Sequence, residues 1–261
     1  SAASDVYKRQ PQDTEAAAFF DVDNTLIQGS SLILLAQGLF KKRFITLSEL
    51  APALRKQIRY RVSGSENADD IAEGREQALA IVKGKSVEEL KQACREIVDN
   101  RMLQKSYADT IELASMHLAA GQQVWLVSAT PVQIGQALAE TLGFTGALGT
   151  VAEEEDGKFT GRLVGDILHG PGKKHAVAAL AALQQLDLSK CTAYSDSVND
   201  LPMLNMVGSP VAVNPDRALR KHAKAQGWAV RDYRSVRRVM RAGVVPAVLA
   251  AAGLWWWRRR R

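Results

Sequence analysis

AAAFFDVDNTLI, residues 16–27, sets the architecture expected for the rest of the chain. The apolar run 16–20 ends abruptly in the turn sequence DVDNT, which is typical of a buried parallel strand that opens into a loop. In open α/β sheets ligands bind at such strand ends. Because Asp21 and Asp23 repel each other unless a cation lies nearby, the stretch indicates either a divalent-cation site or an ordinary turn with solvated aspartates.

From this strand to about residue 120 the apolar spacing is helical. A turn leads into a first helix that Ser30 or Ser31 could cap. The insertion, residues 31–105, follows the acidic loop directly and is therefore expected to cover it as a cap, although an independent helical bundle would show the same spacing. Its later helices are expected at 46–61, 67–83 and 86–103, the last opened by a capping box of Ser86 and Glu89.

From residue 110 onward strands alternate with helices, which predicts a parallel sheet wrapped by helices. The dipeptide Asp156-Gly157 predicts a hairpin turn within the stretch 145–167. The further strands are expected at 124–128, 191–195, 209–215 and 228–230, and the helices at 110–123, 131–143, 174–186 and 216–227.

The positive charge of the chain is concentrated at its C-terminal end. The net charge is +6, but from Arg231 onward nine arginines and one aspartate give +8, so the other 230 residues carry −2. A nucleic-acid binder is expected to have a basic face on its folded body. The sequence therefore argues against a nucleic-acid partner.

Two features bear on the compartment. Cys94 and Cys191 are the two cysteines, without metal-ligand spacing, and we expect buried thiols in a reducing, cytoplasmic environment. Residues 1–15 are polar and lack the apolar segment of a signal peptide. We expect them to be a disordered or non-native leader.

Several expected strand ends and one helix start carry polar side chains suited to a single task. Because the carboxyl ends of parallel strands share one edge of the sheet, groups far apart in sequence can converge there. Carboxylates without sulfur ligands favour a hard cation, Mg²⁺ first, while a hydroxyl, helix-start amides and a lysine suit a phosphate. Together these groups indicate phosphoryl transfer. They are Asp21, Asp23, Ser128, Lys173 or Lys174, Asp196 and Asp200.

Four segments, DVDNTL, LVSATP, GPGKKHAVAAL and YSDSVNDLPML, resemble in order the motifs of the haloacid dehalogenase superfamily. More narrowly they are similar to its phosphoserine-phosphatase-like branch, and the resemblance spans residues 16–230. It implies an α/β fold, a Rossmann-like parallel sheet flanked by helices, with an inserted all-helical cap. The domains implied are a leader 1–15, a core 16–30 and 106–232, a cap 31–105 and a basic and apolar tail 233–261.

The resemblance also implies roles by position. Asp21 would be the nucleophile that forms an aspartyl-phosphate, and Asp23 the general acid and base. Mg²⁺ would be held by Asp21, by the main-chain carbonyl of Asp23 and by Asp196, with Asp200 orienting the site. The implied phosphate ligands are Ser128, Ala129, Lys173 and Asn199.

Simpler interpretations stay open for some of these residues. Ser128 could be only a helix cap, and Asp200 could cap the helix that starts at Leu201. Lys174 is the second choice for the phosphate-binding lysine. The nearby histidines, His169 and His175, are expected at the surface.

The substrate is not defined by these motifs. Phosphoserine phosphatases typically place an acidic residue shortly after the first motif, where it meets the substrate amine. This chain has Gln28-Gly29-Ser30-Ser31 there, which leaves phosphoserine itself in question.

The tail stretch 244–257 is apolar throughout and precedes four arginines. As a helix it would reach about 21 Å, short of the ~30 Å hydrocarbon core of a bilayer. Three tryptophans beside arginines suit an anchor on an anionic membrane surface. The expectation is peripheral association at the inner face of the membrane, with packing on the body or disorder as the alternative.

The sequence thus predicts a Mg²⁺-dependent phosphatase that hydrolyses a small phosphomonoester. A phosphotransferase would use the same residues with a different acceptor. A catalytically silent, membrane-tethered scaffold is the third hypothesis, against which the complete set of acidic residues and lysine speaks. The oligomeric state is not predicted.

Overall fold

A computed structural model of the chain describes residues 14–46, 48–49 and 78–234. The strands in this part are β1 (Ala17–Asp21), β2 (Gln123–Pro131), β3 (Gly146–Thr150), β4 (Ala152–Glu155), β5 (Lys158–Leu163), β6 (Thr192–Ser195), β7 (Ser209–Val213) and β8 (Ala229–Arg231). Six of them form one parallel sheet in the order β3-β2-β1-β6-β7-β8. The predicted Rossmann-like parallel sheet is confirmed.

Strand β1 lies in the middle of this sheet. It pairs with β2 on one side, where Ala18 faces Val124, and with β6 on the other, where Ala18 faces Thr192. All five of its residues are buried, as expected for an apolar strand covered on both faces. Its carboxyl end therefore delivers Asp21 to the centre of the sheet edge.

Helices flank the sheet and form the inserted segment. Those that lie entirely within the described ranges are α1 (Ser31–Lys41), α2 (Val87–Ile97), α3 (Ala108–Ala119), α4 (Val132–Leu142), α5 (Pro171–Leu183), α6 (Leu201–Leu204) and α7 (Arg217–Ala225). The Ser86 hydroxyl accepts a hydrogen bond from the Glu89 amide at 3.3 Å, so the predicted cap of α2 is present. Past α2 the chain continues as a π-helical turn, Val98–Met102, and a 3₁₀ turn, Leu103–Lys105. The helices predicted at 46–61 and 67–83 lie mostly outside the described residues.

The insertion leaves and rejoins the sheet through two adjacent linkers. The Gln28 amide donates to the Lys105 carbonyl at 2.8 Å, and the Tyr107 amide donates to the Leu26 carbonyl at 2.8 Å. One apolar cluster includes Leu35 of α1, Leu90 of α2 and Phe20 of β1 and so runs across both parts. The domain boundaries at 30/31 and 105/106 stay a prediction.

The stretch 145–167 differs from the predicted hairpin. Only its second half, β4 and β5, forms an antiparallel hairpin. Asp156 and Gly157 have φ angles of 48° and 74°, which a type I′ turn requires. The first half is β3, which pairs parallel with β2 at the edge of the main sheet.

Both cysteines are buried thiols, as predicted, and neither forms a disulfide. No helix in the described part of the chain is long and apolar enough to cross a membrane. The apolar tail stretch 244–257 lies outside the described residues.

Candidate active site

A buried lysine joins the first and last acidic motifs. Lys173, in the first turn of α5, is 4% exposed. Its Nζ donates to Asp21 Oδ1 at 2.6 Å and to Asp200 Oδ2 at 2.7 Å. Lys174 is exposed, so of the two candidates Lys173 is the lysine at the site.

Two hydroxyls complete this cluster. Ser195, the last residue of β6, donates to Asp200 Oδ2 at 2.7 Å. Thr25 donates to Asp21 Oδ2 at 3.3 Å. The Asp200 side chain makes no capping hydrogen bond to α6. The alternative that Asp200 serves as a helix cap is therefore wrong, and its carboxylate instead holds Lys173.

Burial controls the electrostatics of the cluster. Burial raises the pKa of Asp21 to about 8, opposed by the Lys173 ammonium and supported by the negative charges of Asp200 and Asp196. Burial also raises the pKa of Asp196 to about 6, although a hydrogen bond with the Asn24 side chain lowers this pKa. Burial lowers the pKa of Lys173, but the two carboxylates outweigh it and raise the pKa above its ordinary value. Lys173 therefore stays charged across the physiological range.

The charge count leaves room for a divalent cation. Three carboxylates, Asp21, Asp196 and Asp200, face one ammonium, so the ionised cluster carries −2. A cation of charge +2 would neutralise it, and oxygen-only donors suit Mg²⁺. Among the described residues no group of three or more His, Cys, Asp or Glu side chains is arranged to hold a metal. The carboxylate oxygens of Asp21 and Asp196 suit a hard cation whose remaining ligands are main-chain and water oxygens.

The Asp23 carboxylate contacts the insertion. Its Oδ1 accepts hydrogen bonds from the Ser31 amide, at 2.9 Å, and from the Ser31 hydroxyl. Ser31 is the first residue of α1 and is 1% exposed. These hydrogen bonds tie the Asp23 carboxylate to the start of the insertion.

The second motif lies at the carboxyl end of β2. Ser128 is buried, and its Oγ lies 2.8 Å from Thr130 Oγ1 and accepts from the Thr130 amide at 3.2 Å. Helix α4 begins at Val132 with no side-chain cap, so the cap interpretation of Ser128 is wrong. Ala129 and Asn199 are exposed at the same edge of the sheet.

Some residues of the site were not predicted from the sequence. Thr25 and Ser195 lie inside the quoted motifs, so their nearness to Asp21 and Asp200 was a usable signal. Ser31 was considered only as a helix cap, and no pattern linked it to Asp23. Asn214 directly follows β7, and its side-chain amide donates to the Asn24 carbonyl at 2.8 Å. This contact depends on tertiary structure alone.

The pKa shifts predict how stability depends on pH. Without a divalent cation, the contribution of Asp21 and Asp196 to the free energy of unfolding is expected to fall between about pH 4 and pH 8. The raised pKa values of Asp21 and Asp196 mean that the folded state keeps protons that the unfolded chain releases near pH 3.8. Their stabilising contribution is present at low pH and is lost through about pH 6 and pH 8. Urea unfolding at a series of pH values in a chelating buffer measures the free energy of unfolding.

Asp21→Asn is the comparison for this measurement. It removes the group with the larger shift, so its stability should depend less on pH than that of the wild-type protein. A wild-type stability that rises over this range would contradict the assigned environment of Asp21.

Similarity to known proteins identifies the family of the chain. The model of the haloacid dehalogenase-like hydrolase family matches residues 18–205. This is more than half of the chain, and the chain belongs to that family.

Three relatives illustrate the match. Phosphoserine phosphatase SerB1 of Mycobacterium tuberculosis H37Rv is 51% identical over 253 residues, 97% of this chain and 82% of the relative. A histidinol-phosphatase of Neisseria meningitidis serogroup C is 33% identical over 221 residues, 83% of this chain and 98% of the relative. A crystal structure of a protein with unknown function from Bordetella pertussis Tohama I has a TM-score of 0.73 at 30% identity, covering 84% and 98% of the two chains. The chain is a phosphatase of this family, similar to its phosphoserine-phosphatase branch, and the predicted resemblance is confirmed.

Proposed function

We propose that the chain hydrolyses a small phosphomonoester with Mg²⁺ through a phosphorylated Asp21. The observation that supports this most is the buried contact of Lys173 with both Asp21 and Asp200. Burying three such charges is costly unless they act together, and no packing need of the fold calls for them. Lys173 fixes Asp21 at the sheet edge and neutralises negative charge on an incoming phosphoryl group.

Two steps follow from this arrangement. An Asp21 carboxylate oxygen attacks the phosphorus, and the bond from phosphorus to the alcohol oxygen breaks, while Asp23 gives its proton to the leaving alkoxide. Asp23 then takes a proton from a water molecule, whose oxygen attacks the phosphorus and releases Asp21 and inorganic phosphate. Ser128, the Ala129 amide and Asn199 are proposed to hold the phosphoryl oxygens.

The metal site is part of the proposal. Asp21, Asp196 and the Asp23 carbonyl would hold Mg²⁺, with Asp200 acting through Lys173. Bound Mg²⁺ would supply positive charge that neutralises the phosphoryl oxygens.

A screen of phosphomonoesters with and without Mg²⁺ tests this function. We expect phosphate release that a chelator abolishes. Phosphate passed to an added alcohol in place of water would favour the phosphotransferase. Absence of turnover on every ester would favour the catalytically silent scaffold.

The Ser31 hydroxyl is expected to position Asp23, the proposed general acid and base. Ser31→Ala removes the hydroxyl that holds Asp23 but keeps the amide contact. We expect kcat to fall about tenfold, with a shifted pH profile and little change in KM, and Ser31→Thr to restore most of the rate. Steady-state kinetics across pH measure this effect. An unchanged pH profile of kcat in Ser31→Ala would argue against the positioning role.

The membrane hypothesis for the tail has a separate test. The full chain should bind vesicles rich in anionic lipid, and a variant ending at Ala242 should not, because it lacks the tryptophans and the last four arginines. Cosedimentation with vesicles measures this at low and high salt. Equal binding of the two proteins would dismiss peripheral association through the tail.

A further inference from the structure

A cavity of about 510 Å³ lies beside two of the proposed phosphate ligands. Two of its lining residues, Ala129 and Asn199, directly follow Ser128 and precede Asp200 in the chain. Ligand pockets for small organic molecules have this order of size. The cavity is therefore placed to receive the alcohol part of a phosphomonoester whose phosphate meets Asp21.

The wall of the cavity is mostly apolar. Leu32 of α1, Leu90 of α2 and Phe159 of β5 contribute to it, together with other aliphatic side chains. Its described lining includes no aspartate, glutamate, lysine or arginine. The polar members are Gln133, Thr150, His169 and Asn199.

Two of these polar residues differ in their hydrogen bonding. The Thr150 hydroxyl is already used, since it donates to the Ala129 carbonyl at 2.7 Å and accepts from the Leu168 amide at 3.2 Å. Gln133, near the start of α4, is 7% exposed, and its side-chain amide has no hydrogen bond with the described residues. Buried polar groups are normally paired, so within the described part of the chain Gln133 has a donor and an acceptor available at the cavity wall.

We infer that this cavity selects phosphomonoesters of uncharged alcohols with an apolar body and one hydrogen-bonding group that meets Gln133. The inference rests on the proposed function and defines its substrate class. An ammonium and a carboxylate, as in phosphoserine, would lose water against this described wall without gaining a charged partner. Alkyl or aryl groups gain free energy when the same wall removes them from water.

A series of esters assayed with the full chain and Mg²⁺ tests the inference. We expect kcat/KM to rise about three- to fourfold per methylene from ethyl to butyl to hexyl phosphate, and to be at least about tenfold lower for phosphoserine than for butyl phosphate. A flat series with phosphoserine preferred would overturn the apolar cavity while leaving the phosphatase function intact. No turnover of any ester would instead overturn the proposed function.

Variants connect the selectivity to the cavity. Leu32→Gln should lower the hexyl-to-ethyl ratio of kcat/KM at least about threefold. Its neighbour Ile33 is 49% exposed and lies outside the lining, so Ile33→Gln should keep the wild-type ratio. Ratios from one preparation do not depend on its folded fraction. Equal changes in both variants would contradict the placement of the substrate.

Gln133→Leu tests the polar contact. With 6-hydroxyhexyl phosphate and hexyl phosphate as a pair, the variant should lower the hydroxyhexyl-to-hexyl ratio of kcat/KM about three- to tenfold. An unchanged ratio would remove Gln133 from the inference.

Discussion

Replacing Asp21 with asparagine is expected to lower phosphomonoester turnover by about four orders of magnitude or more. An amide does not attack phosphorus, so the covalent step is lost. The change keeps the size of the side chain and its place at the end of β1, where Lys173 and Thr25 contact it. Phosphate release under saturating Mg²⁺ measures the effect. Acid-quenched wild-type protein should carry a phosphoryl group on Asp21 by mass spectrometry.

Asp156→Asn is the matched control. Asp156 is exposed in the hairpin turn, with a φ of 48° that asparagine also adopts readily. Its turnover should equal that of the wild type. Mg²⁺-dependent turnover that survives in Asp21→Asn would refute the nucleophile assignment.

Replacing Lys173 with methionine is expected to remove turnover and to destabilise the fold by about 3–5 kcal/mol. Methionine fills a similar volume but leaves the carboxylates of Asp21 and Asp200, both almost fully buried, without their cation. The free energy of unfolding from urea titration at pH 7 in a chelating buffer measures this loss. Added Mg²⁺ should recover part of the stability by supplying positive charge.

Lys174→Met removes the same charge one residue further along α5. Because Lys174 is exposed, its stability should stay within about 0.5 kcal/mol of the wild type and its activity should be retained. Equal losses in the two variants would show that the buried contacts of Lys173 have no special importance.

The sequence was informative where local pattern and burial agree. The apolar run that forms β1 and the β-branched run that forms β2 have strand propensity, and both were predicted. The sequence GALGT of β3 has little strand propensity. Its glycines are needed for close approach, because a Cβ at Gly146 would lie 2.6 Å from the Trp125 ring and one at Gly149 would lie 2.6 Å from the Val132 Cα. Packing against β2 thus overrides propensity there.

The contacts of the site likewise divide into those that could be predicted from the sequence and those that could not. Asp21, Lys173 and Asp200 could be placed together because parallel strands end at one edge and the motifs follow in order. The contact between Ser31 and Asp23 could not, since it depends on how α1 leaves the loop. The place of Gln133 on the cavity wall likewise depends on how the insertion and the sheet fold together.

The central position of β1 has a consequence for how the chain is made. The strand that carries Asp21 is synthesised well before its two neighbours, residues 123–127 and 192–194. Pairings between such distant segments form slowly. Until β6 leaves the ribosome, one edge of an apolar strand stays open to other chains. Nascent or shortened chains that end before Thr192 are therefore expected to aggregate more readily than chains that include β6.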